Sequence, residues 1–229
     1  MAHDIQDFQN QLCESSKHFV NGKEMFSGFP EGSEQVQLGM GCFWGAERIL
    51  WKLDGVHVTS VGYAGGHTTD PDYKKTCTGT TGHAEMTHVV YDPKVISFDE
   101  ILKVFFENHD PTQGNRQGND TGPQYRSAIF TYTDKQAEQA KEAIARYEAA
   151  YGRPVTTELR NAPTYYAAED YHQQYLAKTR KAIACTARQA LSASYQNAKC
   201  PQSVNNRFCL LYTSPSPRDA TLSRMPSSA

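Results

Sequence analysis

From residue 36 to residue 160, short β-branched or apolar runs alternate with amphipathic stretches. That alternation limits the chain to a layered mixture of helix and sheet. Residues 36–40 read as a strand, and Gly41 separates them from a helical stretch over 43–53. Residues 56–63 and 85–91 read as further strands. Ser97-Phe98-Asp99-Glu100 is a capping box: the serine oxygen meets a free N–H and the glutamate reaches back to the cap. The helix it opens runs to about Asn108, with Ile101, Leu102, Phe105 and Phe106 on its apolar side. Residues 126–132 form the next strand candidate, and Thr133-Asp134-Lys135-Gln136 is a second capping box. Its helix ends near Tyr151, with Gly152 as stop signal and Pro154 beyond. Residues 155–159 are the last strand candidate, and no internal repeat is visible.

Two segments break the rhythm. Residues 64–83 and 109–124 are rich in Gly, Thr and Asp and have no periodicity, and loops of that length inside a domain usually carry function. Residues 1–35 are polar and glycine-dotted, and read as an N-terminal arm laid over the surface.

Composition removes several classes of function. With 38% apolar and 21% charged residues and a formal charge of −2, the chain is neither a charged disordered polymer nor basic enough to attract nucleic acid. No apolar run approaches the roughly 18–20 residues of a membrane span. Asp4 and Asp7 and the lack of an apolar stretch speak against a secretory signal, and a first arginine at Arg48 speaks against a transit peptide. The six cysteines, Cys13, Cys42, Cys77, Cys185, Cys200 and Cys209, are scattered without a CxxC pair. A reducing compartment follows, with the cytoplasm expected and an organelle left open, so each cysteine is weighed as a thiol.

Cys42 carries the sharpest signal. Glycines at 39 and 41 let the chain turn from strand into helix, which sets Cys42 at the helix N-terminus. Unpaired N–H groups and the dipole there favour an anion, so a lowered thiol pKa is expected. Phe43 and Trp44 follow directly and could wall an apolar pocket beside the sulfur. The plain alternative is a buried structural cysteine among core aromatics. A Rossmann loop is excluded, because Trp44 stands where the third glycine belongs.

GCFWGAER at 41–48, GYAGG at 62–66, Tyr73, TGHAE at 81–85, FFENHDPTQGNRQGNDTGPQYRSAIF at 105–130 and YYAAEDYHQQY at 165–175 together resemble the peptide methionine sulfoxide reductase A family over residues 36–178. The resemblance implies an α+β fold, a two-layer ferredoxin-like sandwich with a mixed sheet around a βαβ core. It implies reduction of methionine-S-sulfoxide, free or in proteins, as a repair of oxidised methionine. Cys42 would attack the sulfoxide sulfur and end as a sulfenic acid. Glu85 would protonate the oxygen, since burial can keep a carboxyl neutral. Tyr73 and Tyr125 would donate hydrogen bonds to that oxygen. Phe43 and Trp44 would hold the S-methyl, and Asp120 would help position the substrate. No cofactor or metal is implied; an external thiol reductant of the thioredoxin type recycles the enzyme, and a monomer is expected.

The histidines at 67, 83, 88, 109 and 172 are candidates for metal ligands or for a base to Cys42, but no two share metal-site spacing with a second cysteine. Cys77 reads as a thiol at rest.

The resemblance breaks after Lys178. Family members often carry resolving cysteines in a segment like NPxGYC, whereas here Thr179-Arg180-Lys181-Ala182-Ile183-Ala184-Cys185 follows. Back-translated and read one base out of frame, these residues give Asn-Pro-x-Gly-Tyr-Cys, which points to a frame shift near residue 178. Residues 179–208 therefore read as an altered segment, with Cys185 and Cys200 as resolving cysteines by position only. Residues 209–229 resemble the translation of a sequencing adapter and are expected to be a non-native, disordered tail. Two rival functions are compatible with the sequence: a sulfoxide or peptide binding module without turnover, and a cysteine hydrolase.

Overall fold

The computed structural model describes residues 8, 9, 13 and 15–179. Nine strands and five helices are present among them: β1 (Phe8–Gln9), β2 (Glu34–Met40), α1 (Phe43–Leu50), β3 (Val56–Ala64), α2 (Tyr73–Cys77), β4 (Ala84–Tyr91), α3 (Phe98–Glu107), β5 (Arg116–Gln117), β6 (Asp120–Thr121), β7 (Ser127–Thr131), α4 (Asp134–Tyr151), β8 (Glu158–Asn161), β9 (Tyr165–Ala167) and α5 (Tyr175–Lys178). Seven strands form one sheet in the order β1-β9-β3-β4-β2-β7-β8. Its centre, β3-β4-β2-β7, is antiparallel throughout. Helices α1 and α3 each join two strands that point the same way with a third between them, which is the ferredoxin-like arrangement that the family resemblance implies. β8 pairs parallel with β7 through the α4 crossover, so the full sheet is mixed.

Alternation along the strands sorts side chains to two faces. Val36, Leu38, Met40, Val89, Tyr91 and Ile129 pack beneath α1, α3 and α4 in one core cluster. On the other face Val58, Met86, Val90, Phe130 and Tyr165 lie beneath Met25, Phe26 and Phe29 of the N-terminal segment. With both faces covered, every residue of β4 is buried.

Several elements depart from the sequence reading for local reasons. α1 stops at Leu50 instead of 53, because Leu53 N–H turns back to the Leu50 carbonyl and Val56 N–H to that of Leu53. The 64–83 loop contains α2, capped by the Asp72 side chain on Lys75 N–H. The Ser97–Glu100 box closes in both directions, but only half of the Thr133–Gln136 box forms. Gln136 turns inward instead: its Oε1 accepts the Tyr132 N–H, and its Nε2 donates to the Gln35 carbonyl and the Tyr91 hydroxyl. The last expected strand shifts to Glu158–Asn161, since Thr156 bonds to the Pro111 carbonyl. β9 had no counterpart in the sequence reading.

Candidate active site

The site is built where β2 turns into α1. Gly41 takes φ +84°, and a Cβ there would lie 2.6 Å from Cβ and Cγ of Gln117. Only glycine suits that turn, and it sets Cys42 as the N-cap of α1. The N–H groups of Trp44 and Gly45 meet the sulfur and favour the thiolate, as expected at a helix N-terminus. The expected fall in pKa does not result, however. Burial pushes the Cys42 thiol well above its ordinary value, negative charge on Glu85 whenever its carboxyl is ionised adds to this, and Asp120 adds more, so the two N–H groups are outweighed. The resting group is a thiol.

Glu85 sits on β4 opposite Tyr63 of β3 and is 2% exposed. Its Oε2 accepts the Phe43 N–H at 3.0 Å, which places the carboxyl against the first residue after Cys42. Tyr125 closes a short 3-10 turn at Pro123–Tyr125 and is buried. Burial raises its phenol first, followed by the charges of Glu85, Cys77, Tyr73 and Asp120, so these groups share one neighbourhood. Tyr73 opens α2 and stays half-buried. Asp120 lies exposed in the β5–β6 hairpin. Phe43 is buried against Tyr63, Val61 and Ala168, with Trp44 partly buried beside it. Cys42, Glu85, Tyr73, Tyr125, Phe43, Trp44 and Asp120 thus converge from α1, β4 and both long loops. Cys185 and Cys200 lie outside the described residues, as do 180–229 as a whole.

Sequence reasoning assigned no role to a further group within 165–175. Glu169 accepts the Tyr63 hydroxyl at 2.9 Å on one oxygen and the Tyr73 N–H at 2.9 Å on the other. It therefore fixes Tyr73 to the floor of the site. His172 Nδ1 accepts the Trp44 indole N–H at 3.0 Å. An indole can only donate, so the neutral ring carries its proton on Nε2, and burial holds the pKa of His172 down at about 3. Tyr175 stacks on Trp44 at 4.0 Å. The available signal was polar Glu, His and Gln side chains interleaved with Tyr and Ala, which reads equally well as an ordinary surface.

Three of the other candidate histidines serve the scaffold. His83 bonds Gly66 N–H and the Thr68 carbonyl; His109 bridges the Phe105 carbonyl and Ser127. His88 meets Gln35. Among the described residues no group of three or more His, Cys, Asp or Glu is placed to hold a metal ion, and no helix is long and apolar enough to cross a membrane.

Such a constellation of a thiol, a buried carboxyl and two phenols invites comparison with known proteins. The profile of the peptide methionine sulfoxide reductase family matches residues 34–203. A peptide methionine sulfoxide reductase MsrA of Brucella anthropi is 60% identical over 168 residues, covering 72% of this chain and 77% of that protein. The MsrA of Agrobacterium fabrum is 55% identical over 175 residues, covering 74% and 81%. Among solved structures, methionine sulfoxide reductase A of Corynebacterium diphtheriae superposes with a TM-score of 0.70 at 44% identity, covering 81% of this chain and 92% of that one. Reduced Mxr1 of Saccharomyces cerevisiae gives 0.66 at 36%, covering 69% and 92%. With the fold, the sequence profile and relatives of this identity in agreement, the chain belongs to the peptide methionine sulfoxide reductase family and reduces methionine sulfoxide to methionine.

Proposed function

We propose that the residues converging on Cys42 carry out this reduction on the S epimer, with Cys42 as nucleophile and Glu85 as acid. The observation that carries the reading is the Phe43 N–H bond to Glu85, which sets the carboxyl beside the Cys42 turn. Sγ of Cys42 attacks the sulfoxide sulfur while Glu85 gives a proton to the sulfoxide oxygen. The thiol proton replaces the one that Glu85 gave. The oxygen ends on Cys42 as a sulfenic acid, so the substrate sulfur gains two electrons and the cysteine loses two. A thiol whose pKa is raised suits this coupled transfer, because its proton is at hand for the carboxylate. Tyr73 and Tyr125 donate to the oxygen as charge develops on it. Phe43 and Trp44 receive the S-methyl, and Asp120 orients the remainder of the substrate at the rim.

The substrate is methionine sulfoxide in oxidised proteins or free, and the electrons for recycling come from a thioredoxin-like dithiol. Cys185 or Cys200 is the candidate to resolve the sulfenic acid. The reading further takes the enzyme to be monomeric and to work in a reducing cytoplasm. To test the assignment, the chain is exposed to a methionine-S-sulfoxide peptide without reductant and the sulfenic acid is trapped with dimedone. The adduct is expected on the Cys42 peptide. An adduct elsewhere, with Cys42 unmodified, overturns the assignment.

A further inference from the structure

Helix α1 buries Phe43, Ala46, Glu47 and Leu50, so a carboxyl occupies an otherwise apolar stripe with no exposure at all. A buried charge survives only with partners, and these are specific. Oε1 of Glu47 accepts from Gln174 Nε2 at 2.7 Å and from the Thr59 hydroxyl at 3.1 Å. Oε2 accepts the Gln174 main-chain N–H at 2.8 Å. Gln174 takes φ +46°, a conformation that costs a residue with a side chain and persists only when held. Its Oε1 accepts the Phe19 N–H at 2.9 Å.

The two residues before it are pinned as well. Gln173 pairs its amide with both the N–H and the carbonyl of Val61, at 2.9 and 2.8 Å. His172 holds the Trp44 indole, and Tyr175 stacks on its face. Three consecutive polar side chains are thus buried, each tied to a different partner. The same helix that begins at Cys42 supplies both the Trp44 that is held and the Glu47 that holds the turn.

We propose that Glu47 is a positioning residue: by anchoring Gln174 it fixes the 172–175 turn, whose His172 and Tyr175 hold Trp44 as a wall of the sulfoxide pocket. This rests on the reading of Trp44 as a wall for the substrate methyl. Glu47 itself touches no reacting atom, so its loss should loosen binding rather than slow the chemistry.

The test is single-turnover reduction of N-acetylmethionine-S-sulfoxide by the full chain over a range of concentrations. A Trp51→Phe background leaves Trp44 as the single tryptophan and lets its emission be followed. Glu47→Gln is expected to raise the half-saturating concentration about tenfold, to leave the limiting rate within about twofold, and to shift the emission of Trp44 to the red. The exchanged pair Glu47→Gln with Gln174→Glu keeps an acceptor for the Phe19 N–H and a carboxylate–amide pair, and is expected to recover both readouts. Unchanged half-saturation and emission in Glu47→Gln overturn the proposal, as does an exchanged pair no better than the single variant. Trp44→Ala separates the two levels. If it leaves half-saturation unchanged, the pocket reading falls and this proposal with it. If it raises half-saturation while Glu47→Gln does nothing, only the role of Glu47 is lost.

Discussion

The main-chain N–H of Phe43 donates to Oε2 of Glu85 across 3.0 Å, from the first residue of a helix to a carboxyl on the sheet beneath it. One bond therefore ties the cysteine turn to the Glu85 carboxyl. The bond needs only an acceptor at position 85, whereas the proposed chemistry needs a proton there.

Glu85→Gln separates these two demands. The amide oxygen can still accept the Phe43 N–H, so thermal stability should stay near that of the parent. The single-turnover rate should fall about 10²–10⁴-fold, the range for removing a positioned acid. A rate within a few-fold of the parent would remove Glu85 from the chemistry.

Tyr125→Phe and Tyr73→Phe each delete one phenolic donor. Each is expected to cost about 10²-fold in the limiting rate. The double variant should cost less than the product, because in the proposed mechanism both donors serve one oxygen. Product-like losses in single-turnover kinetics would mean that the two hydroxyls act on separate atoms.

Gly41→Ala forces a side chain into a left-handed turn and against Gln117. Gln117 cannot easily withdraw, since its amide is bonded to both the N–H and the carbonyl of Asp110. A loss of about 1–3 kcal/mol in urea unfolding is expected, with activity falling as Cys42 is displaced. Unaltered stability and rate would show that the turn tolerates a Cβ.

Glu47 makes stability depend on pH in a particular direction. Burial pushes its carboxyl up to about 7, against three hydrogen bonds and Lys178 that lower it. The facing groups are Thr59 on β3, His18 on the N-terminal segment, Gln174 and Lys178 near α5, and the Tyr165 phenol on β9. A folded pKa above the ordinary 4.5 means stability that is complete below 4.5 and lost as pH rises through about 7. Glu47→Gln should therefore gain on the parent by up to about 3 kcal/mol between pH 5 and 8. Buried His18 and His109, near 4, and His88 and His172, near 3, act oppositely: their stability is complete above 6.5 and lost as pH falls through those values. Both proteins should thus unfold in acid. A constant gap between variant and parent across pH 5–8 would mean that Glu47 does not titrate there.

Much of the frame was legible because local signals were strong. The strand at 36–40, the Ser97–Glu100 box and the Gly152 stop are each decided within a few residues, and the β-α-β order then leaves few topologies. Cys42 at a helix start was readable from the glycines at 39 and 41 before a helical stretch. The raised pKa of its thiol was not, because that depends on its surroundings and on Glu85 and Asp120, which arrive from other elements. Gln136 shows the same limit: its sequence fits a cap, yet a buried partner across the sheet claims the side chain. Glu47 was hidden inside a motif read for its cysteine, and Gln174 in a polar run that gives no sign of which side chains turn inward.

The most direct test of the account is the stoichiometry of methionine formed from a methionine-S-sulfoxide substrate with no reductant present, for the parent chain and Cys42→Ser. The account predicts about one methionine per parent chain and none for the variant. Methionine formed by Cys42→Ser at the parent's level would contradict it.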